Sequence, residues 1–287
     1  MLAIPFMDHA LLAGGLIALA SGVVGYFLVL RNQVFTGDAL SHVAFTGALG
    51  ALALGVDLHL GLYLGCITIA VVMAVLSRRG ITDDVTIGNI FSFVLGLGTF
   101  FLAYYATHQI GGTDATAGVS VLFGSILGLS SSQTTFDVFV ALAVIIAIVI
   151  IGRPLLFASI DSAVAEARGM PVRALGVVFL VLVGVTAGEA TQAVGALLLL
   201  GLLATPAGAA QRLTTHPYTA MSFSAVIALA SVWIGLCLSY AQPVLPPSFS
   251  ILAIATSIYL GSWAISAWRS RVRGSGKTAR STYTSLR

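Results

Sequence analysis

An aspartate and a histidine, Asp38 and His42, lie four residues apart within an apolar stretch of this sequence. On a helix, residues four apart share one face, so both side chains would project together. Counted from Arg31 at the helical rise per residue, Asp38 lies about 10 Å and His42 about 16 Å into the stretch. Carboxylate oxygens and imidazole nitrogens both ligate Zn²⁺ and Mn²⁺. The pair therefore predicts half of a metal site, with a structural Asp38–His42 hydrogen bond as the alternative.

Three other polar residues are weaker candidates for the same pathway, because polarity inside an apolar stretch is costly. Glu189 and Gln192 lie at a turn between two apolar runs. If that turn folds into the protein they would complete a coordination shell, and at the surface they would be solvated. Asn89 opens another apolar stretch, where an inter-helix hydrogen bond is the competing interpretation. His59 is predicted to be a solvated residue of a connection.

The composition indicates how these residues are positioned. Of 287 residues, 58% are hydrophobic and 8% charged, whereas soluble domains carry roughly 25% charged residues. Stretches of about 20 apolar residues are what a bilayer requires. We therefore expect an all-α, polytopic bundle of eight or nine transmembrane helices. The predicted spans lie near 10–30, 34–56, 60–76, 86–106, 136–152, 175–190, 192–210, 218–240 and 249–268.

The stretch 175–210 decides between eight and nine spans, because it accommodates either two crossings or one crossing plus a broken helix. The basic residues favour nine. They fall in alternate connections at Arg31, Arg78-Arg79, 153–173, Arg212 and 269–287. With nine spans the positive-inside rule predicts an N-terminus outside and a C-terminus inside. We expect a transmembrane domain over 1–268 and a flexible, basic cytoplasmic tail over 269–287.

The long connection 153–174 contains a predicted short helix that begins near Asp161 or Ser162 and ends at Gly169 and Pro171. Such a helix between two spans offers a surface to a cytoplasmic protein. The alternative is a helix lying on lipid headgroups. Because the segment is rich in alanine and poor in large apolar residues, it favours the protein partner.

Several enzyme classes lack their motifs in this sequence. The tail run Gly274 to Thr278 is similar to a phosphate-binding loop, but Arg271 occupies the position of its first glycine. The His-Glu-x-x-His and Gly-x-Ser-x-Gly patterns of hydrolases are also absent. We therefore expect a chain that is not an enzyme, with any ATP hydrolysis in a separate chain.

Four segments resemble the permease family of ABC importers for zinc, manganese and chelated iron. The resemblance covers about residues 10–265. It is carried by LRNQVFTGDALSH at 30–42, LFGSILG at 122–128, AVAEARGMP at 163–171, and VGALLL at 194–199 followed by ATPA at 204–207.

The resemblance implies a multi-pass protein of the bacterial cytoplasmic membrane that moves Zn²⁺ or Mn²⁺ inward by alternating access. Its implied partners are a second permease copy, two cytoplasmic ATPase subunits, an extracytoplasmic metal-binding protein and lipid, without nucleic acid or a permanently bound cofactor. Asp38 and His42 would line the metal pathway. The helix that couples to the ATPase would include Asp161, Ala163, Glu166, Ala167, Gly169 and Pro171.

Two alternatives remain open at the level of the sequence. One is an ABC permease for a metal chelate such as a siderophore or corrinoid, in which Asp38 and His42 would be structural. The other is a proton-coupled secondary transporter with protons carried by Asp38 and Glu189. An internal repeat would favour the second alternative.

Overall fold

The protein is a bundle of α-helices. The computed structural model describes residues 5–77, 82–108, 122–124, 126–128, 130–196, 199–242 and 244–284, and within these ranges it contains no strand. The α-helices of the described residues are α1 Pro5–Leu30, α2 Val34–Leu54, α3 Leu58–Leu76, α4 Asp84–His108, α5 Ser131–Ile160, α6 Ser162–Ala167, α7 Val172–Val194, α8 Leu199–Leu213, α9 Pro217–Ala241 and α10 Pro247–Thr284. The predicted all-α class is confirmed.

In the part of the chain that the structure describes, 8 helices are long and apolar enough to cross a membrane. The stretch 175–210 forms one such helix, α7, followed by the 15-residue α8. At about 22 Å, α8 is shorter than a bilayer core of about 30 Å. It nevertheless packs against α1, α9 and α10. The second part of this stretch is therefore a short helix packed within the bundle.

Helix α1 occupies the centre of the bundle and packs against α5, α7, α8 and α9. Glycines permit its closest approaches. A methyl group at Gly25 would collide with the carbonyl oxygen of Leu203 on α8, and one at Gly22 would meet the backbone of Ala225 on α9. The hydroxyl of Ser224 donates to the carbonyl oxygen of Gly22 at 2.6 Å. Backbone contact of this kind is how helices associate in membranes.

Helix α3 lies between α2 and α7. Its contact with α2 is a close backbone approach, because Gly47 faces Gly61 and leaves no room for a methyl group on either. On the other side, a methyl group at Gly188 of α7 would lie 2.7 Å from the side chain of Leu62. These contacts fix the register of three helices that carry polar side chains.

The end of the bundle that carries the α2–α3 connection, called here the α2–α3 end, also holds a backbone contact between two glycines. Gly124 has φ of 77° and Gly195, just after α7, has φ of 93°. Both values lie in the left-handed region that favours glycine. A methyl group on either residue would meet the backbone of the other. The hydroxyl of Ser248 at the start of α10 donates to the carbonyl oxygen of Phe123 at 2.6 Å. This bond connects the segment that contains Gly124 to α10.

Helix α10 continues to Thr284, into the segment expected to be a flexible tail. Arg78, Arg79 and residues 285–287, which enter the orientation prediction, lie outside the described residues. The division at residue 268 stays a prediction.

Candidate functional site

Asp38 and His42 lie one turn apart on α2, and both are half-buried. The hydroxyl of Ser41 donates to the backbone oxygen of Asp38 at 2.6 Å. The His42 ring packs edge-on against Phe91 of α4, with 5.1 Å between ring centroids. No hydrogen bond joins the Asp38 carboxylate to the His42 imidazole within the described ranges. The structure therefore does not contain the direct hydrogen bond that the structural alternative required.

The pair lies at a surface of the single chain. Phe35, one turn before Asp38 on the same side of α2, is 66% exposed. Among the residues that the structure describes, no three His, Cys, Asp or Glu side chains converge closely enough to hold a metal ion. Within the described ranges, Asp38 and His42 therefore have no third His, Cys, Asp or Glu side chain beside them.

Arg31 lies in the connection before α2 and is 5% exposed. Its Nε donates to Oε1 of Gln33 at 3.0 Å, and its guanidinium lies 5.2 Å from the ring centroid of Phe179 on α7. Burial lowers the pKa of Arg31 to about 10, so the side chain keeps its charge at neutral pH. This cation–π contact fixes the beginning of α2 against α7.

Asn89 lies on the exposed side of α4, two residues before Phe91. Its neighbour Ser92 is also exposed and donates to the carbonyl oxygen of Gly88 at 2.9 Å, within its own helix. No described contact links Asn89 to the α2 pair, so its place in the pathway stays a prediction.

A second polar group lies at the α2–α3 end, where α3 and α5 begin and α7 ends. His59 of α3 is half-buried, and its two ring nitrogens lie 3.0 Å from Nε2 of Gln133 on α5 and 2.9 Å from Nε2 of Gln192 on α7. We call these three residues the amide layer. His59 therefore joins three helices, which corrects the expectation of a solvated residue in a connection.

Three further side chains lie one turn deeper on the same helices. Tyr63, Asp137 and Glu189, called here the acidic layer, interact electrostatically with one another. Asp137 is 1% and Glu189 0% exposed, and neither carboxylate has a hydrogen-bond partner among the residues that the structure describes. The backbone of Ala141 lies near Glu189 without reaching hydrogen-bond geometry. The Tyr63 hydroxyl also has no partner.

The structure places Glu189 and Gln192 inside the bundle. This agrees with the interpretation of the sequence in which their turn folds into the protein. The structure also adds Asp137, which the sequence analysis missed. The available signal was spacing, because Gln133 and Asp137 lie four apart at the start of an apolar helix and so share a face. An acid within a span should have been a candidate on the same grounds as Glu189.

The segment predicted to couple to a partner forms the short helix α6. The Asp161 side chain accepts from the backbone amide of Val164 at 2.9 Å and caps this helix. Gly169 ends it with φ of 77°. Ala165 is buried against Ala158 and Val172. The residues predicted for coupling are all exposed: Asp161, Ala163, Glu166, Ala167, Gly169 and Pro171.

Known proteins share both this sequence pattern and this fold. The profile of a family described as ABC-3, the ABC 3 transport family, matches residues 3–266. The manganese transport system membrane protein MntC of Listeria innocua is 29% identical over 236 residues, which are 82% of this chain and 82% of that relative. The high-affinity zinc uptake system membrane protein ZnuB of Haemophilus influenzae is 24% identical over 235 residues, covering 80% and 86%.

Among solved structures, PsaBC from Streptococcus pneumoniae in complex with Fab superposes with a TM-score of 0.78 at 27% sequence identity. The superposition covers 91% of this chain and 92% of that chain. The similarity therefore extends over nearly the whole bundle, including the helices that carry both polar groups.

Proposed function

The chain belongs to the ABC 3 transport family, and on that premise we propose that it carries Mn²⁺ or Zn²⁺ along a pathway that includes Asp38 and His42. It is the membrane-spanning permease of a metal ABC importer, a multi-pass component of the bacterial cytoplasmic membrane. Such a permease works with an ATPase and with a substrate-binding protein. ATP hydrolysis takes place in separate chains.

The observation that supports the pathway is the placement of Asp38 and His42. They share one half-buried face of α2, and the described chain offers them no third His, Cys, Asp or Glu ligand. An imidazole nitrogen and a carboxylate oxygen suit both Mn²⁺ and Zn²⁺. A second copy of the chain, with its own α2 facing the first, would add an equivalent pair. We therefore expect a homodimeric permease with the metal bound between copies.

Metal binding at this pair is expected to be weak in one access state, because a site that holds the ion tightly in both states would not release it. The binding protein delivers the ion outside. Two ATPase subunits close on ATP and move the α6 surfaces, and the helices around the pathway tilt in response. In this arrangement the N-terminus lies outside, α6 and the C-terminus lie inside, and the α2–α3 end faces outward.

Metal uptake tests the proposal. The chain is expressed with its cognate ATPase and binding protein in cells that lack their own manganese and zinc importers. Uptake of radioactive Mn²⁺ and Zn²⁺ is compared for the wild type, Asp38→Ala and His42→Ala. We expect wild-type uptake of one of the ions and background uptake by both variants, because each removes one ligand from every copy.

Matched controls are Asp84→Ala and His216→Ala, which remove an exposed acid and an exposed histidine at helix starts. Both controls should transport normally, and all variants should reach wild-type membrane levels. Normal uptake by Asp38→Ala and His42→Ala would show that the pair is structural. Absence of metal uptake by the wild type would favour transport of a metal chelate.

A further inference from the structure

The amide layer and the acidic layer are built from one pair of residues on each of three helices. On α3 and α5 the members of a pair are four residues apart, a difference in depth of about 6 Å. Helix α7 runs the other way, so Glu189 lies deeper than Gln192. The result is a group formed by the buried Asp137 and Glu189 and the buried hydroxyl of Tyr63, beneath a hydrogen-bonded cover.

The acidic layer would be unfavourable if both of its carboxyl groups were ionised without a counter-charge. An ionised carboxylate taken out of water costs several kcal/mol unless it is paired. Here Asp137 and Glu189 are both buried, both without hydrogen-bond partners, and close enough to interact electrostatically. The hydroxyl oxygen of Tyr63 is also without a hydrogen-bond partner among the described residues. A cation between these side chains would neutralise the charge and occupy the vacant oxygens.

Access to the layer is provided by a cavity of about 410 Å³ between α3 and α5. The lining includes the exposed Asp57 at the α2–α3 connection, then His59 and Gln133, and the buried Asp137. A water molecule occupies about 30 Å³ in the liquid, so a hydrated ion fits this space. The cavity reaches Tyr63 and Asp137 of the acidic layer, with Glu189 outside its lining. The exposed apolar side chains of Leu60, Leu64 and Phe136 form the rest of its wall.

We propose that Asp137, Glu189 and Tyr63 form a second cation site, separate from Asp38 and His42, that binds a hard divalent cation such as Mn²⁺. All three side chains present oxygen, the donor that hard cations prefer. The His59 nitrogens already face Gln133 and Gln192, so His59 closes the layer and is not a ligand. Two carboxylates match the charge of one divalent ion, and water fills the remaining coordination positions.

The register of α2 and α3 gives the depth of this site. Gly47 faces Gly61, and Sγ of Cys66 lies 3.6 Å from the carbonyl oxygen of Leu40. Tyr63, between these two contacts, is therefore level with about residue 44 of α2, about 3 Å nearer the α2–α3 end than His42. A cation entering from that end meets the acidic layer at a shallower depth than the α2 pair.

Manganese binding to the purified full chain in lipid nanodiscs tests this site. Electron paramagnetic resonance of free Mn²⁺ measures the bound fraction without ATPase or binding protein. The starting protein is Asp38→Ala/His42→Ala, which removes the other pair. Asp137→Asn and Glu189→Gln are added singly, since both keep the side-chain shape and remove the charge. Asp84→Asn serves as the matched control.

The Asp38→Ala/His42→Ala protein and its Asp84→Asn derivative should each bind one Mn²⁺ per chain. Asp137→Asn and Glu189→Gln should each weaken this binding at least tenfold. They should also abolish the rise in melting temperature that Mn²⁺ gives by binding the folded state. If the starting protein binds no Mn²⁺, or if both neutral variants bind it normally, the second site is disproved. Neither result bears on Asp38 and His42, which the uptake experiment tests.

Discussion

His59 holds the α2–α3 end together through hydrogen bonds to glutamine side chains on two other helices. Oε1 of Gln133 accepts from the backbone amide of Ser130, so Nε2 of Gln133 donates to Nε2 of His59. Nδ1 of His59 then carries the proton and donates to Gln192, whose amide presents its oxygen to the ring. We predict that His59→Ala lowers the free energy of unfolding by about 1–3 kcal/mol, because it removes both bonds and leaves the two amides without a partner. The measurement is the melting temperature of the chain in nanodiscs, monitored by tryptophan fluorescence. We expect this temperature to fall by several degrees.

The matched control is His216→Ala. His216 is exposed at the start of α9 and makes no capping hydrogen bond with its side chain. This variant should have the same melting temperature as the wild type. Equal melting of His59→Ala and His216→Ala would mean that the amide layer contributes nothing to stability.

A comparison of the two polar groups shows how far the site can be predicted from the sequence. Asp38 and His42 are recognisable because both lie on one helix, where spacing alone decides that they share a face. The acidic layer depends on three helices. Its members are brought together by contacts between helices, such as the packing of Gly188 of α7 against the Leu62 side chain of α3. Because such a register depends on backbone approach between helices, Asp137 and Glu189 could not be paired from their positions in the sequence.

At the scale of the elements, the α2–α3 contact depends on the absence of side chains. We predict that Gly47→Ala destabilises the bundle by about 1–3 kcal/mol, the usual cost of overpacking. The added methyl group would meet the backbone of Gly61, which cannot move aside as a flexible side chain can. Thermal unfolding in nanodiscs measures the effect.

Gly96→Ala is the appropriate control, because Gly96 also lies within a helix, α4, and no described atom outside its own helical turn lies within 4 Å of the added group. Alanine is a better helix former than glycine by about 1 kcal/mol, so this variant should be neutral or more stable. Comparable destabilisation by both substitutions would show that the α2–α3 approach is not the cause.

Most elements follow from the sequence because length and apolar character define a membrane helix. The capped helix α6 was equally predictable, since Asp161 and Gly169 are local signals. Helix α8 was not uniquely determined. Its 15 residues are apolar enough to suggest a span but too few to cross a bilayer, and only packing against α1, α9 and α10 decides its place.

At the scale of the whole molecule, α8 also bears on orientation. If this short helix returns the chain across the bundle, nine helices place the two termini on opposite sides, as the arginine pattern predicts. In a Cys237→Ser background, which leaves the buried Cys66, we predict that Val56→Cys reacts with a membrane-impermeant maleimide on intact cells. Ala163→Cys should react only after lysis.

Val56 and Ala163 are both exposed, so access to the reagent depends on the side of the membrane and not on burial. Labelling of Ala163→Cys on intact cells, with protection of Val56→Cys, would show that the topology is the inverse of the predicted one. It would also place the entrance to the acidic layer on the cytoplasmic side.

The central position of α1 has a consequence for biogenesis. The bond from Ser224 to Gly22 joins residues 202 apart in the chain, and α8 and α9, which cover Gly25 and Gly22, are among the last helices to leave the ribosome. Until they are inserted, the glycine surface of α1 faces lipid or the insertion machinery. Assembly of the core is therefore completed only with the C-terminal third of the protein, and in a chain released before α9 the first helix lacks the partner that covers Gly22.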